Sequence, residues 1–253
     1  MAGWRREPEL SHAAGALRAR LMPRVRRLHS NMDFPDYSDA PASLLAADGH
    51  CGLLAAWTVL RYFGMRPSAA KLTKACGYTR RHGVFTIGLA SALAEHGLAV
   101  EFYSQPDPRP KPIERRLYSR ARRLGVAVRP ATSLERLLSA IDRDHVPIVF
   151  YNTPDDVGHF SALLGSRRGR LLLPNTSTGS VSVDEFYRGW RQPGILRQAI
   201  ICERPSNQRL ERTGGDAAPY RRARSAAGRS AARYPYKRDE EVRQLTDLET
   251  VSA

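Results

Sequence analysis

No charge-free run in this chain exceeds 13 residues, at 82–94 and 171–183, short of the roughly 18 that a membrane-spanning helix needs. No membrane span is therefore expected. Three cysteines, Cys51, Cys76 and Cys202, are too few for a disulfide scaffold, and no apolar signal-peptide core follows Met1. Both absences point to a reducing, cytoplasmic setting. The chain also lacks the glycine-rich phosphate loop ending in Gly-Lys-Ser/Thr, which excludes a fused ATPase, and the Gly-x-Ser-x-Gly elbow of the serine hydrolases. Neither Cys76 with His82 nor His50 with Cys51 belongs to a paired spacing that would complete four zinc ligands. No metal or organic cofactor is expected.

What is present suffices for a packed core: 253 residues, 42% hydrophobic and 8% aromatic. The net charge of +15 resembles a nucleic-acid footprint until it is divided along the chain. Residues 1–31 carry +5, 204–253 carry +4, and 32–203 carry +6, of which +7 lies in 109–129 alone. The middle of the chain is thus a near-neutral domain with three basic additions, and nucleic-acid binding ranks last among the readings. The first addition, 1–31, is Arg-rich like an amphipathic or targeting segment but is interrupted by Glu7, Glu9 and Pro23; with Met32 as the start it is an over-extended reading frame. The tail from 204 is rich in Arg, Ala and Gly, has few branched apolar residues, and is expected to be disordered. Near its end the acidic stretch DEEVRQLTDLE has the makings of a short helix formed on binding.

Between these ends, Leu53, Leu54, Trp57, Leu60 and Phe63 recur at helical spacing, predicting a buried helix that opens at or beside Cys51 and stops at Gly64. Ser68 and Gly77 bracket a second helix, and Thr86 to His96 with Gly97 a third. LAVEFY reads as a strand, 112–124 as a basic helix, VAVRP as a strand and 133–143 as a helix. IVFYN after Pro147 is a buried strand, HFSALLG and LLLPN are the arms of a hairpin, VDEFYRGW is a short helix and ILRQAIICE a last strand. Helices first and an antiparallel sheet second imply an α+β fold over 32–203, with a basic insertion near 104–132.

Cys51 is the leading candidate for chemistry. A cysteine at a helix N-terminus faces unpaired N–H groups and the positive end of the dipole, which lowers a thiol pKa. Gly52 beside it would let a substrate backbone approach. The alternative is an inert buried thiol. His159 opens a core strand where an imidazole has no packing advantage, and Asn175 ends the return arm of the same hairpin, within reach of that imidazole. A cysteine nucleophile, histidine base and asparagine orienter form a triad for acyl chemistry.

HCGLLAAWTVLRYFG, SLERLLSAIDRDHVPIVFYN and GHFSALLGSRRGRLLLPNTSTGSVSVDEFYRGW, in this order, resemble the double-glycine leader peptidases of the papain-like cysteine peptidases. The resemblance covers about 45–203. It implies a papain-like peptidase fold, Cys51 as nucleophile, His159 as base, Asn175 in the place of the usual aspartate, and a peptide or protein substrate such as a bacteriocin leader. That family is commonly fused to an ABC transporter, so the resemblance implies a transporter on a separate chain. Two positions depart from it: Leu45 stands where the family has the glutamine that donates to the oxyanion, and His50 replaces the aspartate before the cysteine, with Asp48 close by. Gln105 could replace the missing donor only if the fold brings it to the site. Leu45 motivates a second reading, a catalytically degenerate relative that binds peptides or a partner protein, and thiol acyl transfer or deamidation is a third.

Overall fold

The computed structural model describes residues 34–204, so the expectations for 1–31 and for the tail beyond Arg204 lie outside the described residues. A 3-10 turn at Tyr37–Asp39 and helix α1 (Ala42–Leu45) lead into three packed helices, α2 (Cys51–Tyr62), α3 (Ala69–Cys76) and α4 (Thr86–Glu95). The bounds follow the sequence signals. Gly77 ends α3 in a left-handed conformation (φ 65°) with its N–H on the carbonyls of Lys74 and Thr73. Ser68 occupies the N-cap of α3 in extended backbone, but its hydroxyl makes no cap bond.

Strand β1 (Ala99–Ser104) is followed by α5 (Pro112–Arg123), β2 (Ala127–Pro130), α6 (Leu134–Ser139), β3 (His145–Asn152) and β4 (Gly158–Ala162). The short strands β5 (Ser166–Arg167), β6 (Arg170–Leu172) and β7 (Ser180–Ser182) precede α7 (Val183–Trp190) and β8 (Ala199–Glu203). The large sheet runs β2-β1-β8-β3-β4, and β5-β6-β7 form a second, antiparallel sheet. The class is α+β. Three ladders of the large sheet are antiparallel, while β1 and β2 pair in parallel, because α5 carries the chain back to the starting end before β2 begins.

Apolar residues on alternate positions face two cores. Val146 and Ile148 of β3 join Phe102, Ile200 and the helices α2 to α4, while Val149 and Tyr151 join Phe186, Trp190 and Leu137 on the opposite face. A strand covered on both sides needs the continuous apolar run that the sequence shows there. Helix α7 is seated over the end of β3 by Gly189, where an added Cβ would lie 1.9 Å from the Asn152 carbonyl oxygen. The expected hairpin forms around its expected turn but with shorter arms, 164–167 with 170–172, because β4 stays in the large sheet and β5 and β6 belong to the second one. The chain turns at Gly165 (φ 138°), and Gly169 (φ 74°) closes the tight turn between β5 and β6. Leu164 N–H still donates to the Leu172 carbonyl at 3.0 Å, tying the two sheets together.

Candidate functional site

Cys51 is the first residue of α2, and the N-terminus of that helix abuts β4 at the edge of the large sheet. Gly52 makes the approach possible: an added Cβ would lie 3.2 Å from Phe160 Cδ2 and 3.3 Å from Val84 Cβ. Its smallness therefore serves helix-to-strand packing at this seam. Phe150 and Phe160 sit opposite each other in β3 and β4, yet Phe150 N–H is given to the carbonyl of Gln198, the residue before β8, at 3.2 Å. Theirs is consequently a non-hydrogen-bonded pair, and the N–H and C=O of Phe160 face outward from the sheet edge. The Phe160 N–H donates to the Cys51 thiol. The Phe160 C=O accepts from Asn175 Nδ2 at 2.9 Å.

Asn175 joins both halves. Its side-chain amide also donates to the Cys51 carbonyl at 3.2 Å, its main-chain N–H donates to Ser161 Oγ at 3.3 Å, and its main-chain carbonyl accepts from His159 Nε2 at 2.7 Å. The structure thus brings Cys51, His159 and Asn175 together at one seam. The imidazole is held by the main-chain carbonyl of Asn175, while the side-chain amide serves the two carbonyls at the helix end and the strand edge. A carbonyl can only accept, so Nε2 carries the hydrogen and Nδ1 keeps its lone pair for another partner.

The electrostatics of the seam favour neutral groups. Burial pushes the Cys51 thiol above its ordinary value, and the N–H groups of Phe160, Gly52 and Cys51 itself pull it back without cancelling that rise. The lowering expected from the helix N-terminus is thus outweighed by desolvation. Burial likewise holds His159 below the usual imidazole value, against the Asn175 carbonyl, with the charge of His50 adding to the depression. His50 turns its Nδ1 to the Ala47 carbonyl at 2.8 Å. Tyr151 lies across the ladder from His159, with the two rings edge to face at 5.8 Å, and is 1% exposed. Burial, then Glu185 and Cys51, push its phenol up. His50 was marked in the sequence by its place before Cys51, whereas Tyr151 went unmarked; its only signal was its place in a strand destined to pair with that of His159.

The other candidates are placed elsewhere. Leu45 packs its side chain against the helical core and has no group to donate, and Gln105 is exposed at the end of β1 with its N–H on the Leu196 carbonyl. Cys76 and Cys202 are free and buried, and burial pushes the Cys76 thiol up to about 12. No cluster of His, Cys, Asp or Glu able to hold a metal exists among the described residues, and none of their helices is long and apolar enough to cross a membrane.

No protein-family model and no curated protein matches the chain. Among solved structures it is similar to the peptidase domain of Streptococcus ComA, a bi-functional ABC transporter involved in a quorum sensing pathway. That likeness is at 17% identity over 62% of this chain and 91% of that one, with a TM-score of 0.41. It is also similar to a double glycine motif protease from an AMS/PCAT transporter in complex with the leader peptide, at 16% identity over 62% and 86%, with a TM-score of 0.39.

Proposed function

We propose that residues 32–203 form a papain-like cysteine peptidase domain that cleaves peptide bonds, with Cys51 as nucleophile, His159 as base and Asn175 holding both in place. The observation that carries this reading is the junction at Asn175, where one residue binds the Cys51 carbonyl and the His159 imidazole and leaves Nδ1 unprotonated. In the reaction the Cys51 proton passes to His159 Nδ1 as Sγ bonds the substrate carbonyl carbon. The tetrahedral intermediate collapses with loss of the amine, which takes that proton, and water releases the thioester. The Cys51 N–H at the helix start supplies one oxyanion donor. The substrate class we infer is a leader-type peptide ending in two glycines, delivered to a transporter on another chain, in a cytoplasmic setting.

The test is incubation of the full chain with such peptides, followed by mass spectrometry, beside Cys51→Ala and His159→Ala. Cleavage between the glycines and the residue that follows, lost in both variants, supports the reading. Peptides that bind yet stay intact with all three proteins favour the second reading, a peptide-binding relative without turnover. That second reading has its own observation in Leu45, whose side chain is part of the core packing and offers no donor to the oxyanion.

A further inference from the structure

Away from the seam, one corner of the described domain gathers both charge and exposed apolar surface. Residues 109–129 hold eight basic side chains and one Glu. Leu117, Ala121 and Val126 are buried in the helical core, Ile113 and Tyr118 pack against it, and β2 forms the outer edge of the large sheet, so most of the basic side chains of the run face outward. Arg115, Arg116, Arg122 and Arg123 are exposed, and the last three make no side-chain hydrogen bond or ion pair among the described residues. The exposed large hydrophobic residues of the described domain are Leu124 (36%) and Val128 (40%), and both belong to this corner. Leu124, the C-cap of α5, is thus left outside the helix's buried face.

Leu124 also rims a cavity of about 630 Å³, within the range of specific binding pockets, whose walls include Ala94, Leu98 and Ala127. The carboxylates in its wall are engaged: Glu101 with Arg129, and Asp142 and Glu203 with His145. With its acids paired and Arg136 in the same wall, the cavity admits an uncharged side chain at its Leu124 end and repels no carboxylate, while the arginines beside it suit carboxylates. Pairing of another strand onto β2 is opposed by its length of four residues and its end at Pro130, which has no N–H to give.

We propose that this corner docks an acidic polypeptide segment that carries aliphatic side chains. Its carboxylates meet Arg116, Arg122 and Arg123, and one aliphatic side chain covers Leu124 and enters the cavity. RNA is disfavoured because the exposed large apolar residues include no aromatic ring on which a base could stack. A bilayer is disfavoured because the corner offers only Leu124 and Val128 as exposed large apolar side chains, too few to anchor in an acyl layer. The inference stands apart from the peptidase reading and survives its failure.

The probe is a fluorescein-labelled peptide DEEVRQLTDLE, an acidic aliphatic sequence that the chain itself contains at 239–249. Fluorescence anisotropy with the full chain at physiological salt should show saturable binding. Arg116→Glu with Arg123→Glu should weaken it at least about tenfold, and Leu124→Ser at least about threefold. Iodoacetamide labelling of Cys51 in these variants should be unchanged, which shows that the domain is intact. The proposal is overturned if binding is absent, if either variant binds as the parent does, or if polyglutamate of equal length, phosphatidylglycerol vesicles or poly-U RNA displaces the peptide at equal or lower concentration.

Discussion

Replacing Asn175 with aspartate changes one atom and tests the whole seam. The amide donates to the carbonyls of Cys51 at 3.2 Å and Phe160 at 2.9 Å, and a carboxylate can donate to neither. Each lost bond costs about 1 kcal/mol net, so Asn175→Ala should cost about 2 kcal/mol. Asn175→Asp should cost about 3 kcal/mol at neutral pH, since it adds repulsion between the carboxylate and two carbonyl oxygens at a half-buried position. The sign of the pH dependence follows. The fold disfavours the charged form, so the new carboxyl has a folded pKa above the unfolded value of about 3.9. The penalty is therefore smallest below that value and grows as pH rises through the folded one. Thermal unfolding of the 253-residue chain should fall by roughly 6–12 °C at pH 7, with the gap to wild type narrowing toward pH 4. The imidazole is held by a main-chain carbonyl, so neither substitution removes its partner. An Asn175→Asp protein as stable as wild type at pH 7, or one that gains on it as pH rises, would refute the assignment of the two donor bonds.

Iodoacetamide labelling of Cys51, followed by intact mass, should rise with a midpoint above the ordinary thiol value of about 8.5, because burial raises this thiol. Labelling that is already fast at pH 6 and collapses in His159→Ala would show an ion pair instead. Cys76 and Cys202 should stay unlabelled until the protein unfolds, as both are buried. His159 has a folded pKa below its unfolded value of about 6.5. It therefore takes up protons more readily when unfolded, and stability should be lost as pH falls below that value. His159→Gln should shallow this acid limb in denaturant titrations, and an unchanged limb would count against the burial of the imidazole. Gly189→Ala should cost more than about 3 kcal/mol, or prevent folding, because the Cβ meets the Asn152 carbonyl oxygen at 1.9 Å. A soluble Gly189→Ala protein with wild-type melting would contradict the seating of α7 on β3.

The helices were legible because local chemistry fixes where they stop. Gly64, Gly77 and Gly97 all take positive φ at the ends that the sequence marks. The strand at 145–152 was legible because burial on both faces leaves a continuous apolar run. The parallel ladder of β1 with β2 was not, since pairing direction depends on the path of α5 and not on any residue in either strand. The departure of the chain from the large sheet at Gly165 was hidden for a similar reason: a glycine announces a turn but not which sheet the next strand joins. At the site, the residues that come together could be named from their types and spacing. The bond that holds the imidazole could not, because a main-chain carbonyl has no signature in sequence.

The same limit explains why the dipole argument gave the wrong direction for Cys51. A helix N-terminus is a local feature worth a fraction of a kcal/mol to about 2 kcal/mol, whereas the seam that α2 makes with β4 leaves both the thiol and the imidazole half-buried and partly desolvated. One cause acts on both groups and drives both toward neutrality, the thiol upward and the imidazole downward. On the proposed peptidase reading, attack by Cys51 would require the proton to move to Nδ1 as the bond to substrate forms, so the driving force would come from stabilising the oxyanion. On the peptidase reading Leu45, packed against the helical core, takes the place of a donor whose loss costs about 10²–10³ in rate. A neutral resting pair and a missing donor act on the same step. Under the proposed peptidase reading, turnover is therefore expected to be slow unless the bound peptide itself completes the oxyanion site, and peptide binding is then a more telling measurement than thiol reactivity.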